Sequence, residues 1–370
     1  MSTLLRAPAG YRADLGAVRR LRKEREATAD PASPAAAAEV LTLWHREVML
    51  AGARPEELLA LAAAVDDAVE RFPTWPDLRL LRGTVALAVH RPDVAADALA
   101  AVPALASLPA GRVLAADIAQ FTGDYAAARV GYRSAAGEEP RWDTTARLAA
   151  LAVATGDVEA ADALYGTAED DLTAKQMRAF AWIRVQRADL AAALGDLDRA
   201  ARLLADADRG YPDWWYVTAH RAALDLAQGR WTQAIEGYRG VLTDVDRPDF
   251  REALGTAFAR AGRTECAAEC HSIAVSGYLA SVARGEAHYL HHLAAFHADV
   301  RPHAAAAVAW ARQDARSRRT GTTLSLLAWC LYRAGRRDEA LAVLDEAFAR
   351  GAGDPLLQAR ARQIRTGTPT

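Results

Sequence analysis

Five of the nine histidines fall in one short stretch, GEAHYLHHLAAFHADVRPH. His288 and His292 are four residues apart and His291 is three from His288, so on a helix all three share one face. Two imidazoles at that spacing can share a metal ion, with Glu252 or Asp299 offering a carboxylate. The same face can take an anion or respond to pH, since a free imidazole titrates near ~6.5. It can also hydrogen-bond within the fold or to a partner protein, which demands least of the geometry and stands ahead of the other two. Cys266 and Cys270 sit i, i+4 beside His271, but no second pair lies nearby in sequence, so semi-buried thiols are expected before zinc. Cys330, between Trp329 and Leu331, reads as core. Trp214, Trp215 and Tyr216 either anchor a ligand or staple neighbouring elements together. Arg312, Arg316, Arg318 and Arg319 read as a solvated helix end, where cations are favoured. A Gly-rich phosphate loop, a nucleophile elbow and a supported pair of catalytic carboxylates are all missing. No catalytic residue, no metal and no cofactor is expected, and an enzyme is not.

The elements that carry these residues are marked by glycine. Gly123, Gly156, Gly195, Gly229, Gly262 and Gly335 each open a Gly-Asp or Gly-Arg pair. Five residues on comes Ala128, Ala161, Ala200, Ala234, Ala267 or Ala340. Seven further comes Ala135, Ala168, Ala207, Val241, Ala274 or Ala347. The glycine spacings are 33, 39, 34, 33 and 73, the last being two units with an insertion. A turn that needs φ > 0 explains the glycine, and two helices in close approach explain the fixed small residues. Counting back from each glycine starts a helix pair near 76, 109, 142, 181, 215, 248, 287 and 321, with a more irregular pair at 34–73. Between 34 and 108 the turn glycine is missing although Ala95 keeps its place. The extra residues fall in EDDLTAKQM and near Ser281 to Glu286, where a longer helix or loop is expected. Asp354 to Ile364 leaves room for a closing helix. Residues 1–33, with RRLRKERE and DPASP, read as a basic, mobile or loosely packed arm.

This pattern resembles the tetratricopeptide repeat. Leu254-Gly255 and Phe258 match its first helix, Tyr132, Tyr165 and Tyr238 the aromatic slot of its second, and Pro140 and Pro212 its closing proline. The resemblance implies an all-α, right-handed solenoid of about nine helical pairs over 34–370 with a C-terminal capping helix. It also implies a concave groove lined by the first helix of each pair. At the groove offsets stand Trp182, Val185, Gln186 and Asp189; Tyr216 and His220; Asp249 and Glu252; His288, His291 and His292; and Ser325, Leu326, Trp329, Tyr332 and Arg333. His297 falls at a packing offset. Relatives that grip a peptide carboxylate use lysine, arginine and asparagine at these offsets, and this chain has no lysine or asparagine there, so it lacks that clamp. Some members pair a His-His-Leu-Ala helix with an Ala-Trp-x-Leu-Tyr one, which Ala328 to Tyr332 match.

A net charge of −2 removes the electrostatic reason to seek nucleic acid. Lysine occurs only at Lys23 and Lys175, so the positive charge is nearly all arginine. No signal sequence is visible at the start, and no run approaches the ~18 apolar residues of a spanning helix. Three cysteines do not make a disulfide framework. The expectation is a cytoplasmic scaffold that holds a protein or peptide in its groove, without membrane insertion and with its oligomeric state open. The alternative is a small-ligand or metal-binding regulator centred on the histidine helix.

Overall fold

In the computed structural model all six turn glycines are left-handed, with φ between +73° and +87°. All twelve small residues counted from them are buried, none more than 5% exposed. The helices follow from these two facts. The structure describes residues 10–138 and 141–367, among which there are twenty α-helices and no strand. Pro140 lies outside the described residues. The helices are α1 (Tyr11–Thr28), α2 (Pro34–Leu50), α3 (Pro55–Arg71), α4 (Pro76–Ala88), α5 (Pro92–Ala100), α6 (Pro109–Thr122) and α7 (Tyr125–Glu138). Next come α8 (Trp142–Thr155), α9 (Val158–Asp170), α10 (Met177–Ala193), α11 (Leu197–Gly210), α12 (Trp215–Ala227), α13 (Trp231–Asp244) and α14 (Pro248–Arg260). The last six are α15 (Thr264–Ala283), α16 (Leu290–Ala295), α17 (Ala304–Ser317), α18 (Gly321–Arg333), α19 (Arg337–Ala349) and α20 (Pro355–Thr366). The fold is an α-solenoid of helix–turn–helix units.

Six of the eight counted starts coincide with helix starts, at Pro76, Pro109, Trp142, Trp215, Pro248 and Gly321. Proline at the first helical position is pre-set for the helix and needs no hydrogen bond there. The two departures follow the insertions. The first is taken up by a loop after α9 and by α10, which begins at Met177 and runs 17 residues. The second lengthens α15 to 20 residues, so that α16 begins only at Leu290. The missing turn glycine also has an answer: His90 occupies its place, with φ +62°.

The chain forms two compact units. One comprises residues 1–57 and 168–275, the other 58–167 and 276–370, with the boundaries falling inside α3, α9 and α15. In the first unit α1 packs on α2, α10 on α11 and α12 on α13, and the first helices α10, α12 and α14 lie in a row. Of the segment expected to be a loose arm, residues 1–9 lie outside the described residues and the rest is largely α1, which is docked: Tyr11 is 4% and Val18 5% exposed. The Tyr11 amide donates to the Pro212 carbonyl at 3.2 Å and the Tyr211 hydroxyl to Asp14 at 2.8 Å. The arginines that gave the segment its arm-like look are spent on ion pairs, Arg19 and Arg22 both reaching Glu47. Trp214 and Trp215 are core here, and the Trp215 indole N–H donates to the Leu50 carbonyl at 2.9 Å, which settles them as staples.

In the second unit α4 packs on α5, α6 on α7, α16 on α17 and α18 on α19, with α16, α18 and α20 in a row. Here too distant segments meet. The Gly321 amide donates to the Tyr125 hydroxyl at 2.7 Å, and the Gly353 amide to the Ala154 carbonyl at 2.9 Å. Among the described residues no helix is long and apolar enough to cross a membrane.

Candidate functional site

On α10, Gln186 and Asp189 are one turn apart; on α12, Tyr216 and His220 are one turn apart. Because the two helices neighbour each other, the four side chains form one array. Gln186 Nε2 donates to Tyr216 Oη at 2.9 Å. The Tyr216 ring stands edge-on to His220, centroids 4.5 Å apart. His220 Nδ1 lies 2.8 Å from Asp189 Oδ1. With Nδ1 facing a carboxylate, the neutral ring carries its proton there and leaves Nε2 as an acceptor. Burial, seconded by Asp189, pushes the Tyr216 phenol up to about 12, so it stays a neutral hydrogen-bonding group. Trp182 is half-buried on α10 beside the unit's core, and Glu252 half-buried on α14. Two other groove offsets are not available. Val185 is buried, as are Ala219 and Ser325 at the same offset of α12 and α18, and Asp249 is held by both arms of Arg247.

The histidine stretch departs from expectation. His288 lies in the turn before α16, so His288, His291 and His292 do not share one helical face. The late start of α16 is the cause. His291 Nδ1 approaches Asp314 Oδ2 of α17 at 3.2 Å, where it meets the packing helix of its own pair. Asp314 is 1% exposed and also accepts from Arg318 Nε at 3.0 Å. Burial pushes its carboxyl up, but His291 and Arg318 together hold it below the usual carboxylate range. His292 stacks on Tyr278, centroids 5.5 Å apart, and His288 lies 5.3 Å from the ring of His90. The three imidazoles thus serve three different neighbours. Among the described residues no group of three or more His, Cys, Asp or Glu is placed to hold a metal, and the metal-site alternative is not supported. The cysteine cluster ends likewise. His271 is 6% exposed and covers Gly255, where a Cβ would come within 2.3 Å of its ring. The arginine run is spent locally: Arg312 on Glu339, Arg318 on Asp314 and Arg319 on Glu346.

Trp329 and Tyr332 do come together, though not as an open aromatic face. Nearly all of α18 is buried; Trp329 is 7% exposed, and Ser325 accepts from Arg360 of α20. The Trp329 indole N–H donates to Asp299 at 2.9 Å. Beside the two rings opens a cavity of about 330 Å³ whose wall includes His297. That histidine, expected to pack, reaches the cavity because the helix leaves α16 through a π turn at Phe296–Val300. The Arg301 amide bonds back to the Phe296 carbonyl at 2.9 Å. A widened turn of this kind shifts side chains off the 3.6-residue register and leaves no trace in a hydrophobic pattern. Pro302 just after it is the one sequence signal that the helix ends here.

No family model matches the chain, and no curated protein sequence does. Solved structures resemble it in fold. A chain of the APC/C hetero-tetramer Cut9–Hcn1 matches at 11% identity with a TM-score of 0.53, over 94% of this chain and 59% of that one. This chain is thus well short of that relative's length. Human IFIT1, solved as a dimer with m7Gppp-AAAA, matches at 13% identity and a TM-score of 0.51, over 93% of this chain and 87% of that one. A tetratricopeptide repeat protein from Parabacteroides merdae aligns over 78% of this chain and 98% of its own at 13% identity, with a TM-score of 0.37. Likeness at such identities speaks to fold alone. The glycine-marked repeat and the helix pairs it builds, with the likeness to the Cut9–Hcn1 and IFIT1 structures, place the chain in the fold of the tetratricopeptide-repeat solenoids.

Proposed function

We propose that this protein is a non-enzymatic interaction scaffold that holds a segment of a partner protein against its first helices. The observation that carries the reading is the array on α10 and α12, where Gln186, Tyr216, His220 and Asp189 order one another at a partly exposed surface. Such an array offers fixed donors and acceptors at little entropic cost on binding. Repeat solenoids present this row of helices to partners by construction. Of the expected groove residues, Trp182, Tyr216, His220 and Glu252 belong to this surface in the first unit. Trp329 and Tyr332 belong to the cavity in the second, and His288, His291 and His292, half-buried, are read as supports for the residues they touch. The reading sets the protein in the cytoplasm, in keeping with its three free cysteines.

The test is co-purification of the tagged chain from its own host, with and without ribonuclease, beside the Tyr216→Ala/His220→Ala variant. A protein partner that resists ribonuclease and is lost from the folded variant is the expected result. Recovery of RNA in place of protein, as the IFIT1 likeness would have it, sinks the proposal.

A further inference from the structure

The cavity beside α18 is built to accept something. Its walls are His297, Pro302, Trp329, Tyr332, Arg333 and Gln363, contributed by the π turn, the loop behind it, α18 and α20. Its ~330 Å³ lies at the small end of the ~300–1,000 Å³ that ligand sites span. That is room for one bulky side chain rather than for a cofactor. The apolar wall is the pair Trp329 and Tyr332, centroids 5.7 Å apart and inclined by 34°. Trp329 presents only its faces, since its N–H is held by Asp299.

The polar complement is cationic. The Arg333 guanidinium lies 5.8 Å from the Trp329 ring centroid. It is exposed and has no carboxylate partner among the described residues, whereas Arg312, Arg318, Arg319, Arg336 and Arg350 around it in the chain each have one. Arg360 approaches the same indole at 5.9 Å but is tied to Ser325. Asp299 accepts the indole N–H. His297 Nδ1 is buried and makes no hydrogen bond among the described residues. Burial holds this imidazole below its usual pKa, with a hydrogen bond to the Arg301 backbone opposing.

From this geometry we infer that the cavity receives one large apolar side chain of an acidic partner segment, whose neighbouring Asp or Glu pairs with Arg333. The inference rests on the scaffold reading and names the partner's chemistry at one point. The cavity is walled by α18 and α20, by the π turn that follows α16 and by the start of α17, so a segment bound over α18 and α20 lies beside it. An unpaired arginine at the edge of an aromatic-walled pocket suits a carboxylate next to an inserted side chain.

The experiment is selection of a displayed random-peptide library on the full chain, followed by anisotropy measurements with the selected peptides. The expected consensus is Trp, Phe or Leu beside Asp or Glu. Ala304→Trp fills the cavity from an exposed first position of α17, where the core is untouched. That change, and separately Arg333→Glu, should each weaken binding by about tenfold or more. Arg333→Lys should recover much of it, and unchanged melting curves certify the fold. A consensus without acids overturns the inference, as does binding that Ala304→Trp leaves within about twofold, or a selection that enriches nothing. The scaffold reading is judged apart from this, because its own test turns on Tyr216 and His220 in the other unit.

Discussion

His90 does the work of a turn glycine while keeping a side chain. Its φ of +62° is the conformation that Gly123 and its counterparts supply at no steric cost. The ring sits edge-on to Phe121 at 5.6 Å and near His288, with Nδ1 buried and without a hydrogen-bond partner among the described residues. Burial first, then Arg318 and His288, push the imidazole down to about 3, with Asp314 opposing. The consequence has a definite sign. Between about 3 and 6.5 the unfolded chain binds a proton that the folded chain refuses, so stability is full above ~6.5 and falls as pH drops through that window. For one such group the limiting slope is about 1.4 kcal/mol per pH unit. Urea midpoints measured between pH 7 and 5 should decline, and His90→Gln should make the decline shallower. His45 and His297, also lowered by burial, should leave a residual slope of the same sign. An unchanged slope in His90→Gln would show that His90 is not the group responsible.

At the scale of elements, the turn glycines look alike in sequence but not in their surroundings. A Cβ on Gly195 or Gly262 would meet nothing within 4 Å, whereas one on Gly123 would lie 2.2 Å from the Arg319 carbonyl oxygen and one on Gly156 2.4 Å from that of Gly353. All four are left-handed. Gly195→Ala and Gly262→Ala should therefore cost about 1 kcal/mol each, from backbone strain alone. Gly123→Ala and Gly156→Ala should cost roughly 2–4 kcal/mol, because backbone must also move. Equal melting shifts in all four would mean that the close approaches are absent in solution. The docked α1 carries its own expectation. Deleting residues 10–28 uncovers the surface under Tyr11 and Val18 and strips Tyr211 of Asp14, for a loss of roughly 3 kcal/mol or more by chemical denaturation. The repeat units could be read from the chain because glycine and alanine are required locally, within one helix pair. The start of α16, the π turn and the docking of α1 could not. An insertion of five or six residues is divided between helix and loop by tertiary packing, and α1 has charges where a repeat would show its apolar period.

For the molecule as a whole, the nearest-neighbour picture of a repeat array is incomplete. In a simple solenoid each unit touches only the next, and stability is a sum of local terms. Here both compact units join segments far apart in the chain. In the first, Asp14 meets Tyr211, and the Arg247 guanidinium donates to the Gly52 carbonyl at 3.0 Å. In the second, Tyr125 meets Gly321 and Ala154 meets Gly353. No repeat pattern announces such contacts, because they depend on how many units come between and not on any one of them. Tyr125 offers the cleanest test. It is 5% exposed, and its hydroxyl accepts the Gly321 amide at the first residue of α18, a donor that the helix itself cannot satisfy. Tyr125→Phe keeps the ring and removes the acceptor, which should cost about 1–3 kcal/mol for a buried N–H left unpaired. The distribution of the loss matters more than its size. If residues 109–160 and 321–353 open together, hydrogen exchange in Tyr125→Phe should quicken in both segments of the second unit. The amides of α10 to α13 in the first unit should stay as protected as before. Faster exchange confined to α6 and α7 would return the chain to an array of independent neighbours and remove the argument for a closed cooperative unit.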